Sequence, residues 1–211
     1  MKQLFLLICL STTIFANYLN LNDQQIENII KKPNKEAIFL RFKKYYQLRK
    51  QVKEFNTLKK LNYINTFFNK ILPVEDKFKY QTDDYWATPK EFLIEGRGDC
   101  EEYAISKYFS LKEIGIDEDK LFLAIVKVKG KTNYHLVLLY FENRSSIPLV
   151  LDNLSFKVLP FDKRSSLTTK VIFNEKEAFV LKDKKIYKKA KIDWGDDNKW
   201  EKILNKINTG K

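Results

Sequence analysis

The hydrophobic period changes once along this chain, near Gly115, and that change restricts the folds open to it. Upstream, apolar residues recur at helical spacing. Phe39, Phe42, Tyr46, Leu48, Val52 and Phe55 form one series; Leu61, Ile64, Phe67, Phe68 and Ile71 a second; Tyr103, Ala104, Tyr108, Leu111 and Ile114 a third. Downstream come short apolar or alternating runs: LFLAIVKVK (121–129), NYHLVLLYF (133–141), PLVLDNL (148–154), KVIFNE (170–175) and AFVLK (178–182). Gly130-Lys131-Thr132 and Asn143-Arg144-Ser145-Ser146 separate them as turns, so neighbouring strands are expected to be antiparallel. Helices first and strands afterwards predict an α+β fold. A last short helix is expected from about Asp196, with Trp200, Ile203 and Ile207 facing inward.

Local punctuation refines this frame. Asn22-Asp23 can cap a first helix carrying Ile26, Ile29 and Ile30, and Pro33 breaks it. Residues 73–98 read as a long, aromatic-rich loop, with a short helix PKEFLIE started by Thr88 and Pro89. Asp99 is a suitable N-cap with Glu102 three residues on, a capping-box arrangement, and Gly115 closes that helix.

The first 16 residues, MKQLFLLICLSTTIFA, join a short positive start to an apolar run too short to span a bilayer. They read as a signal peptide ending at Ala16; an uncleaved anchor is the alternative. Export, and in a bacterium the periplasm, is the expected address. The mature chain, residues 17–211, is then one domain: a helical part (17–72), a core (73–181) and a basic C-terminal tail (182–211). Cleavage removes Lys2 and takes the formal net charge from +12 to +11. That charge either attracts acidic partners or is a background of lysines on solvated faces. The densest basic run is KDKKIYKKAK, Lys182 to Lys191.

Cleavage also leaves one cysteine, Cys100, and one histidine, His135. A single thiol cannot form an internal disulfide, so it is either a buried spectator or a reactive group. Its expected place in the first turn of a helix favours a thiolate through the backbone N–H groups and the helix dipole. The same amides can hold an oxyanion. His135 follows on the second strand and Asp152 near the end of the third. A helix N-terminus facing two adjacent strands can bring Cys100, His135 and Asp152 together as nucleophile, base and orienting acid. Each has an ordinary structural reading too: a small core thiol, a satisfied strand histidine, a turn-forming aspartate.

The flanking acids oppose ionisation of a thiol. Capping accounts for Asp99 and Glu102 and leaves Glu101 unexplained. A bound cation would neutralise all three, and clustered carboxylates suit Ca²⁺ better than Zn²⁺. A solvated first helical turn is the competing account.

The run DYWATPKEFLIEGRGDCEEYAISKYFSLKEIGI, followed by YHLVLLY and PLVLDNL, resembles the bacterial transglutaminase-like cysteine proteases, in particular the LapG-type periplasmic enzymes that release large biofilm adhesins. The resemblance spans roughly residues 60–180. It implies a papain/transglutaminase-like fold, a Cys100-His135-Asp152 triad, and calcium dependence through Asp99 and Glu101. Glu102 stands where the family often has Asp, which keeps the charge but lengthens the arm. The implied activity is cleavage near the N-terminus of a large adhesin at a small-residue site, typically Ala-Ala, which controls biofilm attachment. The implied partner is an inner-membrane cyclic di-GMP receptor that sequesters the protease, with Trp86 as the candidate contact; no nucleic acid is expected. The rival expectations are a transglutaminase or amidase with the same triad, and a non-catalytic basic binding module.

Overall fold

A computed structural model describes residues 17–76 and 85–210. The expected signal peptide, residues 1–16, and the middle of the expected loop, residues 77–84, lie outside the described residues. Three helices open the chain: α1 (Asp23–Ile30), α2 (Lys35–Val52) and α3 (Thr57–Phe68). Asn22 caps α1 in a reciprocal box with Gln25, and Asn56 caps α3 by accepting from the Lys59 amide. The strand pair β1 (Leu72–Pro73) and β2 (Arg97–Gly98) follows, paired in parallel, with α4 (Pro89–Glu95) between them in sequence.

Helix α5 (Cys100–Glu113) is the centre of the molecule. The apolar series 103, 104, 108, 111 and 114 predicts one buried stripe. The helix is instead buried almost all round, with Ser106, Lys107 and Ser110 fully enclosed and Glu113 nearly so. The reason is that α3 and α4 cover one side and strands the other. Phe109 and Leu111 each stabilise the fold by roughly 1.5–3 kcal/mol through burial alone.

The remaining chain is a seven-stranded antiparallel sheet: β3 (Leu121–Val128), β4 (Tyr134–Tyr140), β5 (Leu149–Asp152), β6 (Ser155–Pro160), β7 (Leu167–Phe173), β8 (Ala178–Lys182) and β9 (Lys185–Lys189). Their spatial order is β6-β5-β4-β3-β7-β8-β9. Alternation sends Leu121, Leu123, Leu136, Leu138 and Leu151 toward the helices. Phe122, Ala124, Val126, Val137 and Leu139 point the other way into a second apolar layer with Phe161 and Phe179.

Residues 182–210 of the expected basic tail (182–211) belong to this same body. Asp183 and Lys184 take positive φ (49° and 62°) in a tight turn, which returns the chain as edge strand β9. Its lysines charge the free edge of the sheet, a common defence against edge-to-edge pairing. Helix α6 (Lys199–Thr209) starts three residues later than expected and buries Trp200 and Ile203. Trp200 meets Tyr108 edge-on, ring centroids 5.8 Å apart. Among the described residues no helix is long and apolar enough to cross a membrane.

Candidate active site

The surroundings of Cys100 are set by the four residues before it. Gly96 ends α4 at φ +68°, where a Cβ would stand 2.6 Å from Cζ of Arg41. Only glycine combines that conformation with that approach at low cost. The Arg41 guanidinium is fixed there by donating to the carbonyls of Leu93 (2.7 Å) and Ile94 (2.8 Å). At Gly98 a Cβ would stand 2.8 Å from Glu102 Oε2. Asp99 then caps α5, and Cys100 is the first residue of the helix.

Glu102 is fully buried and serves two backbone donors. Its Oε2 accepts from the Asp99 amide and its Oε1 from the Ala87 amide, both at 2.9 Å. One carboxylate thus ties the loop before α4 to the start of α5. Burial, with the charges of Asp99 and Asp76, pushes its carboxyl up to about 8 against those two amides.

Strand β4 delivers the next groups. The Leu136 amide donates to Cys100 Sγ at 3.4 Å, so the thiol rests on the strand one residue beyond His135. His135 Nε2 is 2.8 Å from Asp152 Oδ1 at the end of β5. That bond puts the imidazole proton on Nε2 and leaves the Nδ1 lone pair to receive one. Asp152 is itself held from three sides. Leu154 N–H donates to Oδ1 (2.9 Å), Arg164 to Oδ2, and Asn69 of α3 to the Asp152 carbonyl (2.8 Å). Burial pushes the Asp152 carboxyl up, but the His135 bond and charge, the Leu154 amide and Arg164 together pull it down to about 2. An anionic Asp152 therefore orients the imidazole at any ordinary pH.

The acids divide differently. Cys100 Sγ lies 3.1 Å from Glu101 Oε2. Burial first, and the Glu101 charge second, push the thiol up, opposed by the Leu136 amide. Burial also pushes Glu101 up, and Asp99 adds to it. Asp99 Oδ1 is buried without a hydrogen-bond partner, a costly state for a carboxylate oxygen unless a cation takes it. Asp99 belongs to two metal-capable groups, one with Cys100 and Glu101, the other with Asp76 and Glu102, ligand atoms within 4.8 Å of one another. An oxygen-rich set of this kind fits a hard cation such as Ca²⁺. All three expected metal residues fall in these groups, Asp99 in both, and Glu102 also carries two backbone amides.

Asp76 and Arg164 are site residues that sequence reasoning missed. Asp76 stands in PVEDKFK and Arg164 in FDKRSS, both ordinary loop compositions with no spacing that points to Cys100. Trp86 packs edge-on against Trp194 at 6.0 Å, half-buried beside α6.

Comparison with known proteins follows this geometry. Comparison with curated protein sequences gives no match. Solved structures of Legionella pneumophila LapG superpose with 28% identity, spanning 86% of this chain and 97% of that one, at a TM-score of 0.69. Its EGTA-treated form gives 0.72 and its calcium-bound form 0.68, the latter over 98% of that chain. The sequence profile of the bacterial transglutaminase-like cysteine proteinases matches residues 41–177, which takes in α3, α4, α5 and the sheet as far as β7. On that match, over well more than half its length, the chain belongs to the bacterial transglutaminase-like cysteine proteinases.

Proposed function

We propose that this cysteine protease is a calcium-dependent endopeptidase of the periplasm, exported behind residues 1–16, that releases a large surface adhesin by cutting its N-terminal region at an Ala-Ala site. Cys100, His135 and Asp152 are its triad. The observation that carries the reading is the pairing of the 2.8 Å His135–Asp152 bond with the Leu136 amide on Cys100 Sγ. One strand sets both the base and the nucleophile's seat.

The chemistry is acyl transfer to water. His135 Nδ1 takes the thiol proton, and Sγ attacks the scissile carbonyl. The Cys100 backbone N–H at the helix start faces the developing oxyanion. His135 then gives the proton to the leaving amine, and water hydrolyses the thioester by the reverse path. Asp152, anionic and pinned by Arg164, keeps the imidazole in the required tautomer throughout. Calcium, held by Asp99 and Glu101 with Asp76 and Glu102 behind them, would supply charge that offsets the carboxylates beside the thiol. The two LapG forms, calcium-bound and EGTA-treated, support a calcium site in this fold. The same reading takes an inner-membrane cyclic di-GMP receptor as the controlling partner, with Trp86 as a surface to test.

The test is incubation of the mature protein with the N-terminal region of the largest exported adhesin of the same genome, in calcium or EGTA, beside Cys100→Ala. Discrete cleavage that needs both calcium and Cys100 is expected. An intact adhesin under every condition would overturn the reading.

A further inference from the structure

One large recess on the described surface is not lined by the thiol. It is a groove of about 740 Å³ between α2 and α3, lined also by Leu72 of β1 and by Gly96. Its floor is apolar, made by Leu48, Phe67 and Ile71. Tyr63 and Leu72 also line it and are 41% and 61% exposed, high for large apolar side chains, with Phe55 packed edge-on against Tyr63. Three cations, Arg41, Lys44 and Lys70, line it, and no carboxylate does.

From this we propose that the groove is a docking site for an acidic, apolar-rich extended segment of the protein substrate, outside the residues cut. The proposal rests on the peptidase reading above. Charge complementarity selects the occupant. Aromatic and aliphatic side chains would fill the floor while Asp or Glu residues meet the lysines at the rim. Lys44 and Lys70 are exposed and make no ion pair among the described residues, so no internal carboxylate competes for them.

Geometry connects the groove to the chemistry. Its lining includes Gly96, four residues before Cys100, so the two Cα atoms are at most about 14 Å apart. A substrate strand needs only about four residues to pass from the thiol to the groove. Helix α3 also serves both sites. Asn69 holds the Asp152 carbonyl, while Tyr63, Thr66 and Phe67 of the same helix line the groove. Arg41 is the fixed cation at the near end, because its bonds to the Leu93 and Ile94 carbonyls leave it no freedom to swing away.

Two arms test this. In the first, the Cys100→Ala protein is titrated by fluorescence anisotropy with a labelled peptide alternating Asp or Glu with Leu or Phe. Controls carry Lys for the acids or Ser for the apolar residues. The acidic apolar peptide is expected to bind at least about tenfold tighter than either control, and Lys44→Glu with Lys70→Glu, or Tyr63→Ser alone, to lose about tenfold. In the second arm the active enzyme cuts the adhesin fragment. The lysine reversals should raise KM about tenfold with kcat within about twofold, and leave hydrolysis of a short peptide spanning only the cut site unchanged. Equal binding of acidic and basic peptides, or indifference to both sets of variants, would overturn the proposal. So would displacement of the peptide by phosphatidylglycerol vesicles through the same lysines, which would make the groove a membrane contact. If no adhesin is cut by any variant, the peptidase reading fails, and the first arm still decides the groove.

Discussion

Lys107 offers the sharpest test of how the central helix is paid for. It sits on α5, seven residues after Cys100, with no exposure and no hydrogen-bond partner for Nζ. The Tyr103 ring lies 5.7 Å away, and the anionic Asp152 is the opposing charge that acts on it. Burial pulls its ammonium from 10.5 down to about 7, with Asp152 resisting. A lysine that binds its proton less tightly when folded costs stability wherever the unfolded chain would be protonated. The cost is greatest below about pH 7, shrinks as pH rises, and is gone above the unfolded value near 10.5. A drop of that size corresponds to about 5 kcal/mol at the low-pH limit, at about 1.4 kcal/mol per pH unit. Lys107→Met keeps the stem and removes the titrating group. Urea unfolding of both proteins at pH 7, 8 and 9 should show the variant more stable at pH 7 by roughly 2–5 kcal/mol. Its advantage should narrow by about 1.4 kcal/mol for each unit of rising pH, since every other titrating group is common to both chains. Parallel pH curves, or a destabilised variant, would refute the argument and show that Lys107 is charged and compensated inside the fold.

Asp152→Ala should lower kcat about 10³–10⁴-fold, because His135 Nε2 loses the acceptor that fixes its orientation and tautomer; steady-state cleavage with a circular dichroism control checks it. Calcium should raise the Tm of the wild type, and by linkage about 2.7 kcal/mol of stability is gained at a hundredfold excess over Kd, whereas Asp99→Ala with Glu101→Gln should show no shift between calcium and EGTA in differential scanning fluorimetry. Asp152, held at about 2 against an ordinary 3.8, contributes about 2 kcal/mol above pH 4 that is lost as pH falls toward 2. Arg164→Gln should therefore be less stable than wild type at neutral pH, by about 1–3 kcal/mol, with the gap closing over that acid window in a pH-resolved unfolding series.

What was legible in the sequence was local. The nucleophile's seat is written within seven residues: Gly96 for the left-handed turn, Gly98 for the close approach of Glu102, Asp99 for the cap and Cys100 at the helix start. The period change at Gly115 likewise divides helices from strands because each period reflects one element's own geometry. Two strands of the seven-stranded sheet escaped that reading for physical reasons, besides the two-residue strands β1 and β2. β6 follows β5 through a turn of only Asn153 and Leu154, so PLVLDNLSFKVLP shows no break in the chain that would separate two strands. β9 is an edge strand with mostly exposed lysines, so it buries too little to alternate.

The nonlocal half of the site was not legible, and the reason is instructive about how the fold works. Asn69, Asp76 and Arg164 reach Asp152 or Asp99 across 83, 23 and 12 residues of chain, and no spacing rule links such positions. Their roles follow only once α3 is laid against the β5–β6 turn. There Asn65 donates to the carbonyls of Ser155 and Phe156, and Asn69 to those of Asp152 and Ser155. Two helix amides thus take up the backbone acceptors of the turn that ends in the orienting acid. Helix α3 with its C-cap is for this reason part of what positions the His135–Asp152 pair, not an appendage to it. Without α3 the Asp152 carbonyl would lose its Asn69 donor, and only the Leu154 amide and Arg164 would hold the carboxylate that makes the 2.8 Å bond to His135.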